Sequence, residues 1–168
     1  QAARRLSGTS LLPPTLLAPK ASTSFALVTG QAGPGLLIVD GLKSHGIGVP
    51  ELGEVTIRGV QSLLPPMTFV KNPVDTGRPG QSFPQVVSLV ARDPAIDAVL
   101  VFGLSEPSVL DPAAAIAPGR AAAGKPVLFG TLGMPDDLEP ALAALAEAGV
   151  PAVLGPERLV LAAPRSRD

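Results

Sequence analysis

Short apolar runs alternate with amphipathic stretches along most of the chain. Ser24–Thr29 (SFALVT) is a run of strand formers, and Gly30–Gly35 after it reads as a turn. Leu36–His45 sets Leu37, Ile38 and Leu42 around Asp40, which predicts a helix ended by Gly46. Gly53–Leu64 predicts a second helix in the same crossover, closed by Pro65-Pro66. Met67–Lys71 reads as a weak strand, and Asn72–Gly80 as a loop dense in Pro and Gly. Ser82–Ala91 predicts a helix, with Ser82 as N-cap and Pro84 tolerated in the first turn. Ala98–Phe102 (AVLVF) is the clearest buried strand. Asp111 is placed to cap a helix that includes Ala113–Ala117, with a break or kink expected at Pro118. Lys125–Phe129 predicts a strand and Asp136–Ala148 a helix carrying Leu138, Leu142 and Leu145, ended by Gly149. Pro151–Leu154 and Glu157–Ala163 predict a last strand and a last short helix.

Strands alternating with helices predict a parallel sheet with right-handed crossovers. Five such strands suggest an α/β three-layer sandwich of flavodoxin-like order, 2-1-3-4-5. Residues 1–23, with Leu11-Leu12-Pro13-Pro14, read as an N-terminal arm or linker, and residues 24–168 as one domain.

Composition sharpens this picture. Apolar residues make up 46% of the chain and aromatics only 3%, so the core must be built from Ala, Val, Leu and Ile. That suits a sheet covered on both faces. The 18 Gly and 20 Pro lie between apolar runs, which indicates turns rather than low complexity. A net charge of −1 without a basic stripe argues against a nucleic-acid or anionic-membrane partner. The chain has no Cys, which excludes disulfides and thiolate chemistry. No apolar run approaches the roughly 20 residues of a membrane span, and a cytoplasmic protein, or a piece of one, is expected.

In an open parallel sheet, ligands bind beyond the carboxyl ends of the strands, where the strand order switches. Three loops are expected to meet there. They are Thr29–Gly35, Asn72–Gly77 and Gly103-Leu104-Ser105. The first is Gly-rich and leads into a helix, which favours an anion through backbone approach and free N–H groups. Taken alone, it reads first as a tight strand-to-helix turn without a ligand, and it is no P-loop, since no Gly-Lys-Ser/Thr follows. The second, Asn72-Pro73-Val74-Asp75, runs through Gly77 and Gly80 to a new helix. It reads as a second anion-friendly turn or as a proline-stiffened connection. His45 is the single histidine and sits at a helix end, in a capping or surface role. No His/Asp/Glu spacing suggests a metal site.

At these loops the sequence resembles a known family. Phe25–Leu42 (FALVTGQAGPGLLIVDGL) is similar to the strand, turn and helix of the last ligase-type domain in NDP-forming acyl-CoA synthetases. The Leu64-Pro65-Pro66 stretch followed by Asn72-Pro73-Val74-Asp75 is similar to another of its stretches. So is Asp93–Phe102 (DPAIDAVLVF), as are the GKPVLF, LAEAGVPAV and GPERLV segments within Gly124–Val160. The resemblance implies one domain of an enzyme of the succinyl-CoA and ADP-forming acetyl-CoA synthetase kind, inactive alone. It implies that Gly30, Gln31, Gly33, Gly35, Asn72, Asp75, Thr76, Gly77, Gly80, Gln81 and Ser82 shape a phosphate or phosphohistidine-loop site. The helix starting near Ser82 is then the one whose N-terminus faces the phosphohistidine. It further implies that the histidine comes from elsewhere, together with a CoA-binding domain and an ATP-grasp domain or subunit. CoA, ATP or ADP, and Mg are then ligands of the parent enzyme and not of this domain alone, and a homo-oligomer is compatible. The family often has Asn then Gly-Gly in the first loop, where this chain has Gly30, Gln31 and Ala32, and Arg78-Pro79-Gly80 is its own.

Two other functions are weighed. One is a regulatory or scaffolding module derived from the same domain, compatible with the altered first loop. The other is a free-standing flavodoxin-like domain binding FMN, against which stands the lack of Trp and Tyr to sandwich a flavin.

Overall fold

A computed structural model describes residues 23–106 and 111–163. The expected arm at residues 1–23 therefore lies almost wholly outside the described residues. The strands are β1 (Phe25–Thr29), β2 (Val74–Asp75), β3 (Ala98–Ser105), β4 (Val127–Gly133) and β5 (Ala152–Leu154). The helices are α1 (Ala32–Ser44), α2 (Glu54–Gln61), α3 (Phe83–Arg92), α4 (Pro112–Ala123), α5 (Pro135–Glu147) and α6 (Pro156–Ala162).

The five strands form one parallel sheet in the order β2-β1-β3-β4-β5, the flavodoxin-like order expected from the alternation. Strand residues alternate between two apolar layers. Val99, Val101, Val127 and Phe129 face α3 and its neighbours, packing with Phe83, Val86, Val90, Ile116 and Leu145. Phe25, Leu27, Leu100 and Phe102 face α1 and α6, packing with Ile38, Leu42 and Leu159. β1 and β3 are buried along nearly their whole length, which is why they read as continuous apolar runs.

Four expectations are corrected. The second strand is Val74–Asp75 and not Met67–Lys71. Beside the middle of β1, the Asn72 side chain takes the place of a neighbouring strand's backbone. Its Oδ1 accepts from Leu27 N at 3.0 Å, and its Nδ2 donates to Phe25 O and Pro50 O at 2.8 Å each. The first helix begins at Ala32, so the turn before it is only Gly30-Gln31. Pro34 falls in that first turn, where a missing N–H removes no intrahelical bond. Gly103-Leu104-Ser105 is not a loop but the end of β3, paired with Thr131, Leu132 and Gly133. The buried hydroxyls of Ser105 and Thr131 satisfy one another at 2.8 Å, which lets this strand end stay buried. α4 runs on through Pro118 to Ala123 without a break. Its start is as expected, since Asp111 Oδ1 accepts from Ala113 N and Ala114 N.

No helix among the described residues is long and apolar enough to cross a membrane.

Candidate functional site

The topology sends both Gly-rich turns to the carboxyl end of the sheet, side by side. β1 and β2 are neighbours, with Thr29 opposite Asp75. Thr29 and Thr76 lock the two strand ends together. Thr29 O accepts from Thr76 N at 2.8 Å and from Thr76 Oγ1 at 3.1 Å. Thr29 Oγ1 in turn accepts from Gln31 N at 3.0 Å and turns the chain into α1. Across the sheet, Gly30 N donates to Phe102 O of β3 at 3.2 Å. In the second loop, Asp75 Oδ1 accepts from Gly77 N at 2.9 Å and closes a tight turn.

Close packing explains two of the glycines. A Cβ on Gly30 would lie 2.8 Å from Pro79 Cγ, so the second loop rests directly on the first. A Cβ on Gly35 would lie 2.8 Å from Thr29 Cγ2, so α1 needs this glycine to sit on the end of β1. Gly33 differs, because nothing lies within 4 Å of the place its Cβ would occupy. It is an exposed first-turn residue whose Cα faces open space. Gly30→Ala is expected to lift the Pro79 segment and to lower stability by about 1–3 kcal/mol, the usual cost of forcing a methyl into filled space. A urea titration measures the loss.

Both helices open with first-turn N–H groups that lack intrahelical partners. The N–H groups of Ala32 and Gly33 open α1 without intrahelical partners. At α3, Phe83 N is bound to Gly80 O and Pro84 has no N–H. Ser82 occupies the N-cap position of α3, but its side chain makes no capping bond. Gly80 and Gln81 are exposed beside it. Gln31 Oε1 is buried at the first turn and has no hydrogen-bond partner among the described residues.

The structure therefore brings Gly30, Gln31, Gly33, Gly35, Asp75, Thr76, Gly77 and Gly80–Ser82 to one end of the sheet. It sets Asn72 apart, because its amide is engaged with β1 and Pro50 below the strand ends. His45 is at the opposite end, where α1 stops. Its Nδ1 lies 2.8 Å from Gly41 O, in the capping position expected of it. No cluster of potential metal ligands is present among the described residues.

Two features went unread in the sequence. One is an ion pair at the site, where Arg78 Nη2 lies 3.9 Å from Glu106 Oε2. The other is the buried Asp93 at the amino end of the sheet. Burial pushes its carboxyl upward. The Thr56 hydroxyl, the N–H groups of Ala95 and Gly53, and Lys125 together outweigh that and hold it below its ordinary value. The signal for it was the Asp93-Pro94 pair directly after a helix.

No family model matches the chain. A stretch of 77 residues is 36% identical to acetate–CoA ligase [ADP-forming] II subunit alpha of Pyrococcus furiosus, covering 45% of this chain and 17% of that one. PH0766 from Pyrococcus horikoshii superposes with a TM-score of 0.76 at 29% identity, over 84% of this chain and 34% of that one. The dinucleotide forming acetyl-coenzyme A synthetase 1 of Ca. Korarchaeum cryptofilum shares the fold at 24% identity. Its apo form gives a TM-score of 0.74 over 86% of this chain and 33% of that one. Its complex with phosphate and ADP gives 0.72 over 84% and 32%. This chain thus spans about a third of the length of the solved structures it matches.

Proposed function

This chain is a homologue of part of the alpha subunit of ADP-forming acetyl-CoA synthetase, in the NDP-forming acyl-CoA synthetase superfamily, and from that premise we propose that it forms one wall of a phosphohistidine site in such an enzyme. The overall reaction is acyl-CoA + NDP + phosphate ⇌ acid + CoA + NTP. Phosphate displaces CoA to give an acyl phosphate. A histidine takes the phosphoryl group and releases the acid. The phosphohistidine then gives the group to the NDP.

This domain's part is electrostatic and positional. The positive end of the α3 dipole, with the N–H groups of Ala32 and Gly33 at the start of α1 beside it, faces a group whose charge is spread over three oxygens. Asp75, Thr76 and Gly77 hold the neighbouring turn in shape. The histidine must come from outside, because His45 is at the wrong end of the sheet and is bonded to Gly41 O. A His-bearing domain, a CoA-binding domain and an ATP-grasp domain or subunit complete the enzyme. CoA, the adenine nucleotide and Mg are held by those parts. Residues 24–168 act as the module that carries this wall.

Gly33 is the observation that carries the reading. Packing does not require a glycine there. Close approach of a ligand to the backbone accounts for it. Gly33→Ala, in the chain assembled with its His-bearing partner, is expected to slow transfer of labelled phosphate to the histidine by about ten- to a hundredfold, the effect of blocking a preorganised donor. Unchanged transfer would sink the reading and favour a scaffolding module.

A further inference from the structure

Arg78 and Glu106 close over the top of β1. Arg78 follows the end of β2 and Glu106 follows the end of β3, and β1 lies between those strands. The contact between them, Nη2 to Oε2 at 3.9 Å, therefore spans the turn at Thr29-Gly30. Pro79, next to Arg78, is pressed against Gly30 and fixes the base of this arm.

We propose that this pair is an anion-operated latch: Arg78 holds Glu106 when no anion is bound at the two turns and swings to a phosphoryl group when one arrives. The proposal rests on the phosphate reading above and adds to it the residue that selects for the anion. The physical case has three steps. First, the Arg78 and Glu106 side chains are 78% and 48% exposed, and an exposed pair at this length contributes little to stability. Breaking it is easy. Second, a phosphoryl group carries more charge than a carboxylate and offers several acceptor oxygens to the planar guanidinium fork. Arg78 gains by the exchange. Third, Glu106 competes with any anion for Arg78. A weakly held or singly charged anion is thereby disfavoured, and only a strong one opens the latch.

Titration of the full chain with inorganic phosphate, followed by phosphorus NMR line broadening, tests this. Glu106→Gln is expected to tighten binding about threefold to tenfold, and Arg78→Gln to weaken it about tenfold, the scale of one charge-assisted contact. The double variant is expected to bind as Arg78→Gln does, because Glu106 acts only through Arg78. Both positions are exposed, so thermal midpoints are expected to stay unchanged. Glu106→Gln binding no tighter than the parent, or keeping its gain without Arg78, overturns the latch and leaves the phosphate site standing. Absence of phosphate binding in all four proteins overturns the site and the latch together.

Discussion

Asn72→Ala is expected to lower the stability of the fold by about 2–4 kcal/mol, since three partly buried backbone groups lose their partner together. The Asn72 amide reaches Leu27 N, Phe25 O and Pro50 O at once. Leu27 and Phe25 belong to β1, which sits between β2 and β3 in the sheet. β2 itself spans only two residues, so the side chain extends the pairing that a longer strand would have made. Asn72→Asp separates this bonding from mere size. It keeps an acceptor for Leu27 N but sets a carboxylate against two carbonyl oxygens, so it is expected to be at least as damaging as alanine. Urea titrations measure both variants. A loss under about 1 kcal/mol for both would show that water replaces the amide without penalty.

The same residue explains why part of the molecule was unreadable. Hydrophobic periodicity reports elements whose backbone pairs with backbone. It found β1, β3, β4 and the major helices, and with them the strand order. It misplaced β2 because a side chain, not a strand, lines β1 at that point. Gly33-Pro34-Gly35 looked like a turn because Gly and Pro punctuate most turns. In the first turn of a helix, however, proline removes no bond, and Gly35 is required by the contact with Thr29. Adjacency of the two Gly-rich loops was legible, since it follows from strand order alone. What the individual side chains bond to was not, so the sequence could not show Asn72 to be engaged with β1. Nor could it show Arg78 reaching Glu106, which needs β1 to lie between their strands.

Asp93 lies at the end of the sheet remote from the two Gly-rich turns, and its removal is expected to cost the fold about 3 kcal/mol or more, as when a buried, hydrogen-bonded charge is truncated. It is almost fully buried. Oδ2 accepts from Gly53 N at 2.8 Å and Oδ1 from Ala95 N at 2.9 Å. Its carbonyl oxygen accepts from Lys125 Nζ at 2.6 Å. The carboxylate thus ties the start of α2 and the turn into β3 to the end of α3. Burial alone would raise its pKa, but Thr56, the two N–H groups and Lys125 hold it below 3.8. The folded protein therefore binds this proton more weakly than the unfolded chain does. Its stabilisation is fully present above the ordinary value of 3.8 and is lost as pH falls through the lower folded value. Asp93→Asn is expected to be less stable than the parent at neutral pH, because its N–H₂ group must face a backbone N–H. The gap should narrow on acidification below the ordinary carboxylate range. Denaturant midpoints of both proteins across that range measure it. A gap that stayed constant down to acid unfolding would mean that the ionised carboxylate contributes nothing beyond its shape.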